Sequence, residues 1–198
     1  DNEETTIEYL YQKREPSERP MALDILLQAQ SNKIPDLAFR YGCRARNCGV
    51  CTIDINGRPR IACRTRVRTG DRLAAMATLP TLSDLVVRRD GVARQLTHAL
   101  PDGPYANNLN VEASNEYHHL TKCIECYACL DNCPMHAKNF NDGKPNSATD
   151  GFSNTIKGYR WGNPFSLLKL QRIRIDPLTT KPVTESAVDM AIHLGLNS

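Results

Sequence analysis

The period of apolar positions changes along the chain. In TIEYLYQK, Ile7, Tyr9 and Tyr11 alternate with polar neighbours, and a period of two predicts a strand. ERPMALDILLQAQ shifts to helical spacing: Leu23, Leu26 and Leu27 share a face, and Pro20 suits a first helical turn. TIDINGRPRIAC predicts a hairpin with Asn56-Gly57 as its two-residue turn. Pro59 has no N–H to give a ladder, so its strand is expected to lie on a free edge. Strand, helix and hairpin in this order predict a small mixed α+β domain ending near residue 100.

Residues 101–115 are rich in Pro, Gly and Asn and read as a linker. Beyond them the spacing becomes helical. Asn163-Pro164 marks a helix start, followed by Phe165, Leu167, Leu168 and Leu170. A second helix is expected from Thr184, with Val188, Ala191 and Ile192 inward and Gly195 near its end. The polar stretch 136–161 between the last cysteine and these helices reads as an exposed loop. There is no internal repeat.

Composition narrows the class. Apolar residues are 40% and charged residues 24% of 198 residues, with a net charge of +3. Such a balance is ordinary for a globular protein and too weakly basic to point to nucleic acid. No apolar run approaches the roughly 20 residues of a membrane span, so any membrane link is expected through partners. No signal peptide is visible; starting at Asp1, the chain is expected to be a processed or trimmed form.

The eight cysteines change the picture most. They fall into two tight groups, whereas a disulfide framework would spread them along the chain. The first group is Cys43-x4-Cys48-x2-Cys51-x11-Cys63. Three closely spaced cysteines suit a loop wrapped round a plant-type [2Fe–2S] cluster. The fourth comes from the hairpin: if Ile55 faces Arg58, counting back sets Cys63 opposite Val50, beside Cys51. Zinc is the rival ligand, but structural zinc prefers paired CxxC units or Cys/His mixtures. Gly42 and Gly49 would allow close backbone approach to the sulfurs. Arg40, Arg44, Arg46, Arg64 and Arg66 would offset cluster charge, dock an acidic partner or form a solvated basic face.

The second group, CIECYACLDNCP, has the spacing of a bacterial ferredoxin run. In such a run Cys123, Cys126 and Cys129 grip one cube, and the fourth cysteine, Cys133, turns toward another cluster. Pro134 suits a helix start there. Glu125 and Asp131 within the run are expected to be surface charges. Tyr127 and Trp161 suggest no role beyond packing, and His118, His119 and His136 read as polar surface. No candidate catalytic residue emerges.

LAFRYGCRARNCGVCTIDINGRPRIACRTRV, the later LPTLSDLVV, CIECYACLDNCP and GNPFSLLKLQRIRIDP together carry a family resemblance. The chain resembles the iron–sulfur subunit of succinate dehydrogenases and fumarate reductases over nearly its whole length. The resemblance implies an α+β architecture: a β-grasp plant-type ferredoxin domain over 1–100, a linker over 101–115, and an α-helical ferredoxin-like domain over 116–198, incomplete at its C-terminus. It implies that Cys43, Cys48, Cys51 and Cys63 hold a [2Fe–2S] cluster. Cys123, Cys126 and Cys129 would supply three ligands of a [4Fe–4S] cluster, and Cys133 one ligand of a shared [3Fe–4S] cluster. The remaining ligands are expected beyond Ser198 or on a second polypeptide, as in a subunit split into two chains.

The implied activity is electron transfer between an FAD-containing flavoprotein subunit and a quinone at membrane anchor subunits, with no substrate-converting site on this chain. The implied place is the inner face of an energy-transducing membrane: the matrix side of the mitochondrial inner membrane, or the bacterial cytoplasmic membrane. Two departures stand out. The stretch after Cys133-Pro134 reads MHAKNF, without the tryptophan the family often places near the quinone, and the loop 136–161 is longer than usual. An iron–sulfur subunit of another flavin complex, such as a thiol-driven fumarate reductase, is the alternative; a zinc-stabilised binding module is the remote one.

Overall fold

The computed structural model describes residues 5–89, 106, 110–133, 140–141, 144–145, 153–154, 160–161 and 163–194. Helix α1 (Ala22–Asn32) buries Ala22, Leu23, Leu26 and Ala29. The backbone N–H of Met21 donates to the Asp24 carboxylate at 3.0 Å, closing the start of the helix. Pro20 therefore precedes the helix rather than occupying its first turn; its carbonyl accepts from Val67 N–H at 3.3 Å.

Strand β1 (Thr52–Ile55) is central in a three-stranded sheet, between β2 (Arg58–Ile61) and β3 (Leu73–Ala74). The hairpin register pairs Ile55 with Arg58 and Thr52 with Ile61, as the Asn-Gly turn predicts. Asn56 and Gly57 both take positive φ, 55° and 76°, which matches the right-handed twist of the strands they join. Pro59 faces Asp54 at a position where the outer strand points its backbone away from β1. The missing N–H leaves no orphan donor there.

Residues 5–13 form no strand. They run extended beside α1, and Gln28 stands in for ladder partners. Its side chain accepts from Tyr9 Oη at 2.8 Å and from Gln12 N–H at 2.7 Å, and donates to the Gln12 carbonyl at 2.9 Å. Alternation is therefore a true sign of extended backbone here, but not of sheet.

After Cys63 on a 3-10 turn (Ala62–Arg64), β4 (Thr81–Ser83) and β5 (Val86–Val87) form a separate ladder. The second region holds α2 (Asn115–Leu120), α3 (Ala128–Asn132), α4 (Asn163–Arg174) and α5 (Lys181–His193). Two short ladders lie where an uninterrupted loop was expected: Phe140–Asn141 with Lys144–Pro145, and Ser153–Asn154 with Arg160–Trp161. The expected end of the first domain near residue 100 and most of the linker lie outside the described residues.

Three cores organise these elements. Ala22, Leu23 and Leu26 pack with Cys51, Ile53, Ile55, Ala62, Cys63 and Val67. Each fully buried leucine contributes about 1.5–3 kcal/mol. The second core joins the two regions: Met76, Leu79 and Val87 pack with Tyr127, Leu130 and Phe165. The third, Leu170, Ala187, Ala191 and Leu194, binds α4 to α5. Helix α5 starts at Lys181, with Pro182 in its first turn, and its buried face is Val183, Ala187 and Ala191. Val188 and Ile192, expected inward, are exposed; Gly195 lies outside the described residues. Among the described residues no helix is long and apolar enough to cross a membrane.

Candidate iron–sulfur site

The first cysteine loop is built from unusual backbone. Arg44 and Arg46 take left-handed conformations, φ 54° and 65°. The N–H groups of Ala45 and Asn47 point at one sulfur and donate to Cys43 Sγ, each at 3.3 Å. These two donors, with the neighbouring Cys48 thiol, lower the Cys43 pKa to about 7. Backbone donors favour the thiolate, the form that ligates metal.

Cys51 behaves oppositely. It ends the loop at β1 and is buried at 3% exposure. Ala62 N–H donates to the Cys51 carbonyl at 3.0 Å, which continues the hairpin register by one pair. The next residue, Cys63, turns its thiol onto that of Cys51. Burial pushes the Cys51 thiol up to about 11, and contact with Cys63 adds to the rise. The four thiols thus meet in two pairs, Cys43 with Cys48 and Cys51 with Cys63, and Cys51 also senses Cys48.

The second loop repeats the backbone pattern. Glu125 and Tyr127 take φ 54° and 60°, a conformation that non-glycine residues adopt only when their surroundings hold them there. Cys123, Cys126 and Cys129 come together. Crowding on one side raises the Cys129 pKa, and the Cys126 and Cys123 thiolates raise it further. Cys129 keeps an exposed edge. Cys133 closes the C-terminal end of α3 rather than opening a helix. The helix start expected at Pro134, and His136, fall outside the described residues.

All eight cysteines are free thiols. Among the described residues no three Cys, His, Asp or Glu side chains converge on one point as the ligands of a single metal ion do. Two sets of mutually crowded thiols remain, one in contacting pairs. Such sets resist losing protons to water and accept a multinuclear cation instead, since ligation removes the thiol protons that burial otherwise retains. The donor chemistry fits iron–sulfur clusters.

Three residues near the loops acquire places that sequence reasoning did not find. Gly49 takes φ 64° and lies against the second loop: a β-carbon there would stand 2.3 Å from the Ile124 carbonyl oxygen and 2.9 Å from Cys126 N. A β-carbon at Gly42 would make only an ordinary contact, 3.5 Å from Cys48 Sγ. Asp131, expected at the surface, is 1% exposed, and one of its oxygens accepts from Thr78 N–H at 3.1 Å. Glu125 is exposed and pairs with Lys169. Arg89 Nη1 donates to the Gly49 carbonyl at 2.9 Å. Its Nη2 donates to those of Val50 at 2.9 Å and Thr52 at 3.3 Å. The basic residues expected round the first loop are exposed; Arg44 lies over the Tyr41 ring at 5.5 Å. His118 and His119 are exposed on α2.

A sheet carrying one cysteine group, followed by helices carrying the other, defines a ferredoxin-like region with a helical extension. Residues 1–94 match the family described as 2Fe-2S iron-sulfur cluster binding domain.

Beyond that region the chain is similar to larger proteins. It is 31% identical over 128 residues to the fumarate reductase iron-sulfur subunit of Escherichia coli O6:H1, covering 59% of this chain and 52% of that protein. It is 30% identical over 133 residues to the mitochondrial succinate dehydrogenase [ubiquinone] iron-sulfur subunit of Dictyostelium discoideum, covering 59% and 46%. The chain therefore spans about half the length of these relatives. In fold it resembles a chain of the Mycobacterium smegmatis Sdh1 complex in the apo form, with TM-score 0.66, 24% identity, and coverage of 87% of this chain and 71% of that one.

Proposed function

We propose that this chain is an electron-transfer subunit of a succinate dehydrogenase or fumarate reductase type complex. Cys43, Cys48, Cys51 and Cys63 hold a [2Fe–2S] cluster. Cys123, Cys126 and Cys129 supply three ligands of a [4Fe–4S] cluster, and Cys133 one ligand of a [3Fe–4S] cluster. The supporting observation is the pairing of thiols within the matched region. A [2Fe–2S] cluster offers each of its two irons to two cysteines, and the contacts Cys43–Cys48 and Cys51–Cys63 divide the four in that way.

When bound, the clusters would pass electrons one at a time between an FAD-containing flavoprotein and a quinone. The residues of this chain hold them and set their surroundings. Ala45 and Asn47 N–H groups stabilise the Cys43 thiolate on the exposed side. The core of α1 and β1 keeps water from Cys51 and Cys63. The contact of Gly49 with the second loop holds the two ligand sets side by side. No cysteine follows Cys133 within these 198 residues, so the remaining ligands come from a segment outside them or from a second polypeptide. The proposed domains are 1–100 and 116–198, joined by 101–115. The proposed location is peripheral, on the inner face of an energy-transducing membrane beside anchor subunits.

Purification of the chain from its native membranes tests this reading. Recovery with a flavoprotein carrying covalent flavin and with a hydrophobic anchor subunit is expected. Recovery with a flavoprotein and no anchor would assign it to a thiol-driven fumarate reductase type of complex instead.

A further inference from the structure

Arg89 occupies the seam between the two cysteine loops. Its guanidinium donates to three carbonyls, Gly49, Val50 and Thr52, which flank the ligand candidate Cys51. The same group lies 5.9 Å from the centre of the Tyr127 ring, in the loop between Cys126 and Cys129. Tyr127 is 5% exposed and packs on Phe165 at 4.7 Å. Arg89 thus ties the backbone of one loop to an aromatic wall of the other.

Its charge has no obvious counterpart. Among the described residues no carboxylate pairs with it, and its Nε is buried without a hydrogen-bond partner. A second cation, Arg40, lies nearby and donates to the Val87 carbonyl at 3.4 Å. A desolvated cation facing only carbonyl dipoles is costly. The cost falls when net negative charge is placed next to it, as thiolate-ligated iron–sulfur clusters on either side would do.

We infer that Arg89 is a positioning residue for both clusters: its fork fixes the spacing of the two loops, and its charge raises their reduction potentials. The inference rests on the cluster assignment proposed above. The two contributions separate chemically. Lysine keeps the charge but cannot span three carbonyls, whereas glutamine keeps donors and loses the charge. One unit charge within about 10 Å at an effective dielectric of about 20 changes an equilibrium by roughly tenfold.

The test is a dithionite redox titration of the assembled complex followed by EPR, with iron and sulfide counted in each sample. Arg89→Gln is expected to disfavour one-electron reduction of the [2Fe–2S] centre by about tenfold, a downward shift of about 59 mV. Arg89→Lys is expected to hold the wild-type potential while lowering the thermal midpoint of the protein. A purely structural role moves stability in both variants and potential in neither; that result overturns the inference while leaving the clusters assigned. If Arg89→Gln does not assemble, a displaced potential in Arg89→Lys overturns the inference and an unchanged one supports it. A wild-type sample free of iron and sulfide overturns the cluster assignment and this inference together.

Discussion

Gly49 and Cys126 touch backbone to backbone: a β-carbon on Gly49 would stand 2.9 Å from Cys126 N and 3.0 Å from its Cα. One cysteine group therefore rests directly on the other, although more than seventy residues separate them in sequence. The contact explains why a glycine stands between Cys48 and Cys51. Gly49→Ala adds left-handed strain of about 1–2 kcal/mol and forces one loop away from the other. We expect a total loss of roughly 2–4 kcal/mol, measured by urea unfolding, with weaker magnetic interaction between the two centres.

Gly57 is the control for that substitution. It has a similar φ, 76°, but a β-carbon there would meet nothing within 4 Å. Gly57→Ala is expected to cost only about 1 kcal/mol and to leave the EPR spectrum unchanged. Equal losses for Gly49→Ala and Gly57→Ala would show that steric contact between the loops is unimportant.

Asn56 anchors the hairpin to the following loop. Its amide donates to Asp71 Oδ1 at 2.8 Å, and its carbonyl accepts from Arg72 N–H at 2.8 Å. Asn56→Ala removes both bonds and the residue best suited to the turn, so a loss of about 1–3 kcal/mol is expected. Because turn type sets register, the same variant is expected to bind iron at Cys63 less completely, as read from iron content after dialysis.

The same loop predicts a pH dependence. Asp71 has a lowered pKa, chiefly because Arg68 N–H donates to its carboxylate and then because Asn56 does. A carboxylate whose folded pKa is depressed contributes stability that is full above its unfolded pKa, about 3.9. That contribution fades as pH falls through the folded value. Asp71→Asn is expected to flatten the acid limb of a urea-midpoint against pH plot below about pH 5. A parallel curve for the variant would contradict the assignment.

Asp131 should behave unlike an ordinary buried ion-pair partner. One oxygen accepts from Thr78 N–H, while the other has no hydrogen-bond partner. Asp131→Asn keeps the acceptor and removes the charge, so stability within about 1 kcal/mol of wild type, or above it, is expected. Asp131→Ala leaves Thr78 N–H unpaired and should lose about 1–3 kcal/mol. Thermal melts of the two variants would distinguish these outcomes.

The legible parts of the fold were those set by local chemistry. Asn56-Gly57 dictates a two-residue turn, and the turn dictates the register that brings Cys63 to Cys51. Asn163-Pro164 likewise marks the start of α4. The misread parts depend on distant contacts. Ile7, Tyr9 and Tyr11 alternate as a strand would, yet the Gln28 side chain takes the hydrogen bonds a neighbouring strand would have taken. Val188 and Ile192 suit a helical face, but Leu170 of α4 packs against Ala187 and Ala191, so the buried face is rotated from them. Arg89 and Asp131 read as surface charges because their burial arises from segments far away, Gly49–Thr52 for one and Thr78 for the other. Nothing in the local pattern of RRD or LDN carries that information.

The most direct test of the central claim is EPR of the dithionite-reduced protein, with iron, zinc and acid-labile sulfide measured on the same sample. The cluster assignment predicts equimolar iron and sulfide, no stoichiometric zinc, and a reduced [2Fe–2S] signal that is lost in Cys51→Ser. Zinc without sulfide, or a signal that survives replacement of both Cys51 and Cys63, would contradict it.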